Sequence, residues 1–338
     1  MSQWPVYTGT AEPHDGIDRL PAPPPWRAFD GGPVLETPAA NADAAAVSPD
    51  RRHRAHTYRP TPDSVDLVNA ALYLRRPLLV TGPPGTGKSS LAYAVARELR
   101  LGPVLRWNIT SRSTLTDGLY RYDPLSRLYA TRTAEKKQET PGGTAGTNVA
   151  DHLHLGPLGT ALLPHERPRA LLVDEIDKGD LDLPNDLLNV LEEGQFEIPE
   201  LIRAGGTAQV RADATDARMP VTGGRVRCRA FPFVVLTSNG EREFPPAFLR
   251  RCVRLRLHRP DETQLAAIVR AHLGEPEPYA EELITRFLRR ADAAELATDQ
   301  LLNALYLTGA AGLDATSREA LAQQLMPGLH GAPDTDAL

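Results

Sequence analysis

A chain of 338 residues is long enough for about two domains, and 41% hydrophobic with 24% charged residues is the composition of a globular protein with a sizeable core. A net charge of −5 without a long basic block gives no electrostatic case for nucleic acid or an anionic membrane as partner. No apolar run reaches membrane-spanning length, the first residues lack the pattern of a signal peptide, and Cys228 and Cys252 form no C-x-x-C pair, so a reducing, cytoplasmic setting without disulfides is expected.

Residues 1–57 differ from the rest. Proline recurs at Pro21, Pro23, Pro24, Pro25, Pro33 and Pro38, and an alanine-rich stretch runs from Ala39 to Val47. Such composition resists regular structure. Trp4, Tyr7, Trp26 and Phe29 are unusual in a solvated linker, so two readings stand: a flexible arm with incidental aromatics, or an arm that docks on the core or on a partner. Arg51-Arg52-His53-Arg54 reads as a solvated face.

The globular part is expected to begin near Tyr58, with Asp63-Ser64 capping a helix that carries Val65, Val68, Ala71 and Leu72. Pro77 to Thr81 reads as the first core strand. It runs into Gly82-Pro83-Pro84-Gly85-Thr86-Gly87-Lys88-Ser89, and Ser90 opens a helical run to Leu99 with Leu91, Val95 and Leu99 on one face. This is G-x-x-x-x-G-K-[ST] between strand and helix, a phosphate-binding P-loop. Its glycines let consecutive N–H groups point at a β-phosphate, and the helix N-terminus adds favourable partial charge. Lys88 supplies a charge for the β/γ-phosphates and Ser89 a hydroxyl for Mg²⁺. The nucleotide-binding set is therefore Gly82 through Ser89 with Ser90 beside it.

Val104 to Ile109 reads as a second strand. Asn108 near its end fits either a group reaching the γ-phosphate region or a strand-terminal turn residue. Leu115 to Leu128 fits a hairpin or a short helix, and Glu135 to Asp151 an exposed polar loop. His152 and His154 lack further Cys or His at ligand spacing and read as solvated or packing residues. The run Ala170-Leu171-Leu172-Val173 then ends in Asp174-Glu175. On a parallel sheet, strand C-termini face the ligand crevice, so these acids arrive beside the P-loop. Asp174 suits Mg²⁺ and Glu175 suits polarising the attacking water.

Leu187, Leu188, Val190 and Leu191 form a helical face stopped by Gly194. From 195 to 228 the pattern reads as two hairpin arms around a long mobile insertion. Phe233 to Ser238 is a buried strand with Asn239 at its tip, able to orient water or sense the γ-phosphate. Arg250-Arg251 follow, then a strand with Val253, Leu255 and Leu257. From Pro260 the period is helical only, with apolar groups at Leu265/Ile268/Val269, Leu283/Ile284/Phe287/Leu288, Leu301/Leu302/Leu305 and Leu321/Leu325, and a loose tail after Pro327.

GPPGTGKS, LLVDEIDK with DLPNDLLNVLEEGQFEI, and LTSNGEREFPPAFLRRC together resemble the AAA+ ATPases, and within them the MoxR-like group, over about residues 58 to 310. The resemblance implies an α/β fold: a P-loop NTPase αβα sandwich on a parallel sheet, followed by a small all-α lid. The expected division is 1–57 extension, 58–258 core, 259–327 lid and 328–338 tail. The core is expected to carry insertions at about 111–131 and 195–228. It implies ATP and Mg²⁺ as cofactors, a ring usually of six copies, and a protein client. Family roles fall on Lys88, Ser89, Asp174, Glu175 and Asn239 (sensor one). Arg251, with Arg250 in reserve, matches an arginine that reaches the neighbouring subunit's site, and Asn108 a residue that holds the catalytic Glu inactive. One departure stands out: Leu296-Ala297-Thr298-Asp299-Gln300 carries no sensor-two arginine, leaving Arg286, Arg289 or Arg290 as substitutes. The PPPWRAF segment is similar to MoxR-like ATPases paired with von Willebrand factor A proteins in bacterial conflict systems. A nucleotide-gated switch with slow hydrolysis and a nucleic-acid motor subunit are the alternative functions. A metabolite kinase is disfavoured by Asp174-Glu175, Asn239 and the helical lid.

Overall fold

The computed structural model describes residues 4–38, 48–138, 148–274, 278–290, 297–310 and 315–326. The alanine-rich 39–47, residues 139–147 of the expected polar loop and the tail after Pro327 lie outside them.

Two helices, α1 (Pro49–Thr57) and α2 (Pro62–Leu74), precede the first strand. α2 begins earlier than expected: Thr61 is the cap, its hydroxyl accepting from the Ser64 N–H, and Pro62 fills the first turn, where no N–H is needed. The core then runs β1 (Leu78–Thr81), α3 (Lys88–Glu98), β2 (Leu105–Asn108), α4 (Leu115–Leu119), β3 (Tyr120–Tyr122), α5 (Pro124–Gln138), β4 (Leu153–Leu155), α6 (Pro157–Ala161), β5 (Ala170–Asp174) and α7 (Leu183–Glu193). It continues through β6 (Gln195–Glu197), α8 (Pro199–Ala204), β7 (Thr207–Arg211), β8 (Arg218–Thr222), β9 (Arg225–Arg227), β10 (Phe233–Ser238), α9 (Pro246–Leu249) and β11 (Val253–Arg256). The last helices are α10 (Glu262–Leu273), α11 (Pro278–Arg290), α12 (Thr298–Ala310) and α13 (Ala315–Leu325).

The main sheet is parallel, in the order β11-β1-β10-β5-β2. Every residue of β5 and β10 is buried, as expected when helices cover both faces. Side chains alternate between two cores: Leu171, Val173, Val234 and Leu236 enter one, and Ala170, Leu172, Phe233 and Val235 the other. α3 is buried beyond the single face expected, Ala92, Tyr93, Ala94 and Ala96 included, because α1 packs against it.

The segment expected to be a mobile insertion is instead part of a second sheet, ordered β3-β4-β7-β8-β9-β6. β7 and β8 form a five-pair antiparallel ladder, and α8 follows β6. Val210, Val221, Val226, Ile198 and Leu201 anchor it in the larger core. Gly224, at φ +67°, approaches the Ile202 backbone where a Cβ would clash, so it serves a tight turn rather than a linker. Of the hairpin and short helix expected over Leu115–Leu128, the helix is present as α4 and again at the start of α5, while β3 pairs with distant β4 rather than forming a local hairpin, and Glu135–Gln138 belongs to α5, not to a loop.

Of the two readings of the N-terminal arm, docking in cis describes residues 4–38. Val6, Tyr7 and Ile17 enter the second core. Asn69 Oδ1 accepts from the Val6 and Tyr7 N–H groups, and its Nδ2 donates to Tyr7 O. Glu98, fully buried, accepts from the N–H groups of Thr8, Gly9 and Ala11. Further on, Arg27 donates to Leu191 O and lies over the Phe231 ring, and Leu35 bridges to His165. Phe29 stacks on Phe231 and Trp4 packs on Tyr73, whereas Trp26 is 75% exposed.

The C-terminal helices share a core of their own, with Leu265, Val269, Leu283, Ile284, Phe287, Leu301 and Leu305. His53 of α1 bonds His272 of α10, and the start of α12 abuts the P-loop. Among the described residues, no helix is long and apolar enough to cross a membrane.

Candidate active site

The sheet order brings the C-terminal ends of β1, β10, β5 and β2 side by side, so the P-loop, Thr237–Asn239, Asp174-Glu175 and Asn108 form one edge. Gly87, at φ +83°, caps α3 in a conformation that costs an L side chain and turns the first N–H groups outward. Thr86 Oγ1 donates to Pro83 O, and Lys88 Nζ donates to the carbonyls of Gly82 (2.7 Å) and Pro83 (2.8 Å). Burial pushes the Lys88 ammonium's pKa down, and Asp177, Asp174 and Glu175 nearby pull the other way. Pro84 and Gly85 are exposed, and Ser90 is half-buried next to Ser89.

Asp174 is the hub. Its Oδ1 accepts from Ser89 Oγ at 2.6 Å and Thr237 Oγ1 at 2.7 Å, and its Oδ2 pairs with Arg106 Nη2 at 2.7 Å. Burial pushes the carboxyl up, but the hydrogen bonds from Ser89, Thr237 and Arg106 together outweigh it and hold it below the ordinary carboxylate range. Hydroxyl and carboxylate oxygens at this spacing are the donor set of a hard cation, and they fit Mg²⁺.

Glu175 adopts φ +60°, a left-handed conformation that is strained for a non-glycine residue and aims the side chain off the strand axis. Its N–H donates to Thr237 Oγ1, so a single hydroxyl orients both acids. The Glu175 carboxylate pairs with Lys178 at 2.8 Å. Asn108, directly opposite Asp174 in the ladder, is exposed and makes no hydrogen bond to Glu175, whose carboxylate is paired with Lys178. Asp177 organises the loop after β10: its Oδ2 accepts from Ser238 Oγ and from the N–H groups of Asn239, Gly240 and Glu241, between 2.9 and 3.2 Å. The Asn239 amide, half-buried, has no hydrogen-bond partner among the described residues.

Arg251 is bound in cis to Glu192 of α7 at 2.7 Å, whereas the Arg250 guanidinium is exposed and unpaired among the described residues. Of the arginines considered for the lid, Arg286 makes a bidentate pair with Glu319 inside the helical bundle, and the side chains of Arg289 and Arg290 lie outside the described residues. The start of α12 faces the P-loop through Ala297 and Thr298, each 3.0 Å from a Cβ built on Gly85.

Sequence reasoning missed Arg106, Thr237, Asp177 and Lys178. Two signals were present. Arg106 lies two residues before Asn108 and so shares its strand face, and Asp177 and Lys178 belong to the same acidic run as Glu175.

A parallel sheet with a P-loop after one strand and paired acids at the end of another, followed by a helical lid, defines a P-loop nucleoside triphosphatase. Residues 77–252 match the family described as AAA domain, dynein-related subfamily, and the chain belongs to that family of ATPases. No curated protein matches the sequence. Among solved structures the chain is similar to NtrX from Brucella abortus. In complex with ADP the identity is 15%, covering 85% of this chain and 59% of that one, with a TM-score of 0.42. In complex with ATP the identity is 15%, covering 81% and 55%, with a TM-score of 0.42. The chain spans less than two thirds of the length of either.

Proposed function

We propose that this protein is a Mg²⁺-dependent ATPase of the MoxR-like group that works in the cytoplasm as a homo-hexameric ring and remodels or activates a protein partner, one with a von Willebrand factor A domain. The observation that supports this reading most is the convergence of Ser89, Thr237 and Asp174 within 2.7 Å at the mouth of the P-loop, with Glu175 next along the chain. Lys88 and the loop N–H groups bind the β/γ-phosphates of ATP. Ser89 and Asp174 would hold Mg²⁺, which when bound neutralises charge on the phosphate oxygens. Glu175 turns from Lys178 to take a proton from the attacking water, and the unpartnered Asn239 amide aligns that water. Arg251, or the more exposed Arg250, completes a neighbour's site, a contribution worth about 10³–10⁵ in rate in related phosphoryl transfers.

A second reading is a switch that holds ATP and hydrolyses it slowly. It is favoured by the absence of arginine at 297–300 and by the Lys178–Glu175 pair. ATP turnover per subunit against protein concentration, for wild type, Glu175→Gln, Arg250→Ala and Arg251→Ala, separates the two. A steep rise lost in Glu175→Gln and in one arginine variant supports the ring. Flat turnover indifferent to both arginines supports the switch.

A further inference from the structure

Arg106 is the wall between two spaces. On one side its Nη2 holds Asp174. On the other it lines a half-open cavity of about 480 Å³ with Arg112, Arg121, His154, Asp117 and Asp213. The Arg106 Nε–H is buried and makes no hydrogen bond. A buried donor without an acceptor is costly, and here it belongs to a charged group.

The cavity's cations outnumber its available anions. Arg112 and Arg121 have no acidic partner within salt-bridge distance among the described residues. Asp117 caps α4, accepting from Thr114 N and Oγ1, and its charge offsets part of Arg121's, which leaves Arg112 without a counter-charge. Asp213 lies near His154, and burial raises its pKa, which disfavours its charged form. The cationic character continues beyond the cavity across the second sheet. Arg121 is directly opposite His154, His154 opposite Arg211, and Arg211 opposite Arg218, all on the exposed face. Arg211 and Arg218 set two guanidiniums directly opposite one another, which weakens a sheet, and Asp151 relieves Arg218 at 2.6 Å while Arg211 has no acidic partner within salt-bridge distance among the described residues. With strands about 4.8 Å apart, the row spans about 14 Å, the reach of four or five extended residues.

We propose that the cavity receives a carboxylate side chain from an acidic polypeptide segment of a partner, and that Arg106 passes from Asp174 to that carboxylate, releasing Asp174 for the divalent ion. Partner docking and metal loading are thereby coupled through one guanidinium. This rests on the assignment of Ser89 and Asp174 to Mg²⁺. A peptide fits better than a nucleic acid, because Trp107 lines the cavity but is buried against Gly118, and His154 is the one exposed ring there among the described residues, too little for successive bases to stack on.

The test uses the full chain with ADP, a rhodamine-labelled hexaglutamate peptide read by anisotropy, and Mn²⁺ read by electron paramagnetic resonance in place of Mg²⁺. Hexaglutamate should bind wild type, hexaglutamine should not, and the Arg112→Gln/Arg121→Gln variant should bind at least tenfold more weakly. Both arginines are exposed, so this variant should unfold at the wild-type temperature. Saturating peptide should tighten Mn²⁺ binding to the wild-type ADP complex at least threefold. Arg106→Gln should bind Mn²⁺ tightly without peptide and show no further gain. Equal peptide affinity in the double variant, or unchanged Mn²⁺ affinity in wild type, overturns the proposal. So does tighter binding of a twelve-residue oligothymidylate than of hexaglutamate at the same salt. If wild type fails to bind ADP–Mn²⁺ at all, the metal assignment fails and the coupling with it, while anisotropy still judges the cavity.

Discussion

Asp177→Ala should damage catalysis and stability without touching the P-loop. In the native chain, Asp177 Oδ2 is the shared acceptor for three backbone N–H groups and the Ser238 hydroxyl. Gly240 and Glu241 are exposed and recover water when the carboxylate goes; Ser238 is buried and Asn239 half-buried, so those two donors are left wanting. At about 1–3 kcal/mol for the buried Ser238 donor and about 1 kcal/mol for half-buried Asn239, the loss is about 2–4 kcal/mol. For a core of this size, that lowers Tm by about 4–16 °C. The loop carrying Asn239 then loses its anchor, so kcat for ATP hydrolysis should fall by about 10–100-fold, while KM changes by less than about threefold because Lys88 and Ser89 keep their hydrogen bonds and Asp174 and Glu175 remain beside Lys88. Asp177→Asn keeps one acceptor oxygen and should fall between, and exposed Asp180→Ala should behave as wild type. The assays are differential scanning calorimetry and steady-state phosphate release. An Asp177→Ala protein that melts and turns over like wild type would refute the reasoning.

Three further outcomes are expected. Asn69→Ala removes the acceptor for Val6 and Tyr7 N–H and should cost about 2–3 kcal/mol, with limited proteolysis cutting within 4–38 at least tenfold faster. His165 is 1% exposed with Nε2 unpartnered; burial, aided by Arg169, pushes its pKa down to about 4. Its unfolded value is about 6.5, so between these pH values the unfolded chain binds a proton that the native one refuses. Stability is therefore full above pH 6.5 and falls as pH drops towards 4, by up to about 3 kcal/mol; His165→Asn should flatten that slope in urea titrations. Cys228 and Cys252 are buried, with thiols pushed up to about 12 by burial, so neither should react promptly with Ellman's reagent at pH 7.5, and both should react once the chain unfolds.

What the sequence determined by itself was local chemistry. The strand–glycine loop–helix around Lys88, the buried strands ending at Asp174 and Ser238, and the apolar faces of the last helices are written in neighbouring residues, because hydrogen bonding and side-chain period act over a few positions. What needed the tertiary structure was every relation across the sheet. Arg106 reaches Asp174 only because β2 and β5 are adjacent, and Thr237 joins the two acids only because β10 pairs with β5. Nothing in the order of residues states which strand neighbours which. The N-terminal arm shows the same limit. A proline-rich segment has low chain entropy to lose but no core of its own, so whether it docks is decided by receivers far along the chain, the Asn69 amide and the buried Glu98 carboxylate. The second sheet is assembled from β3–β4 and β6–β9, whose glycine-rich connections look like linkers until their strands find one another; the burial of Val210, Val221 and Val226 against a shared core is what makes them a sheet.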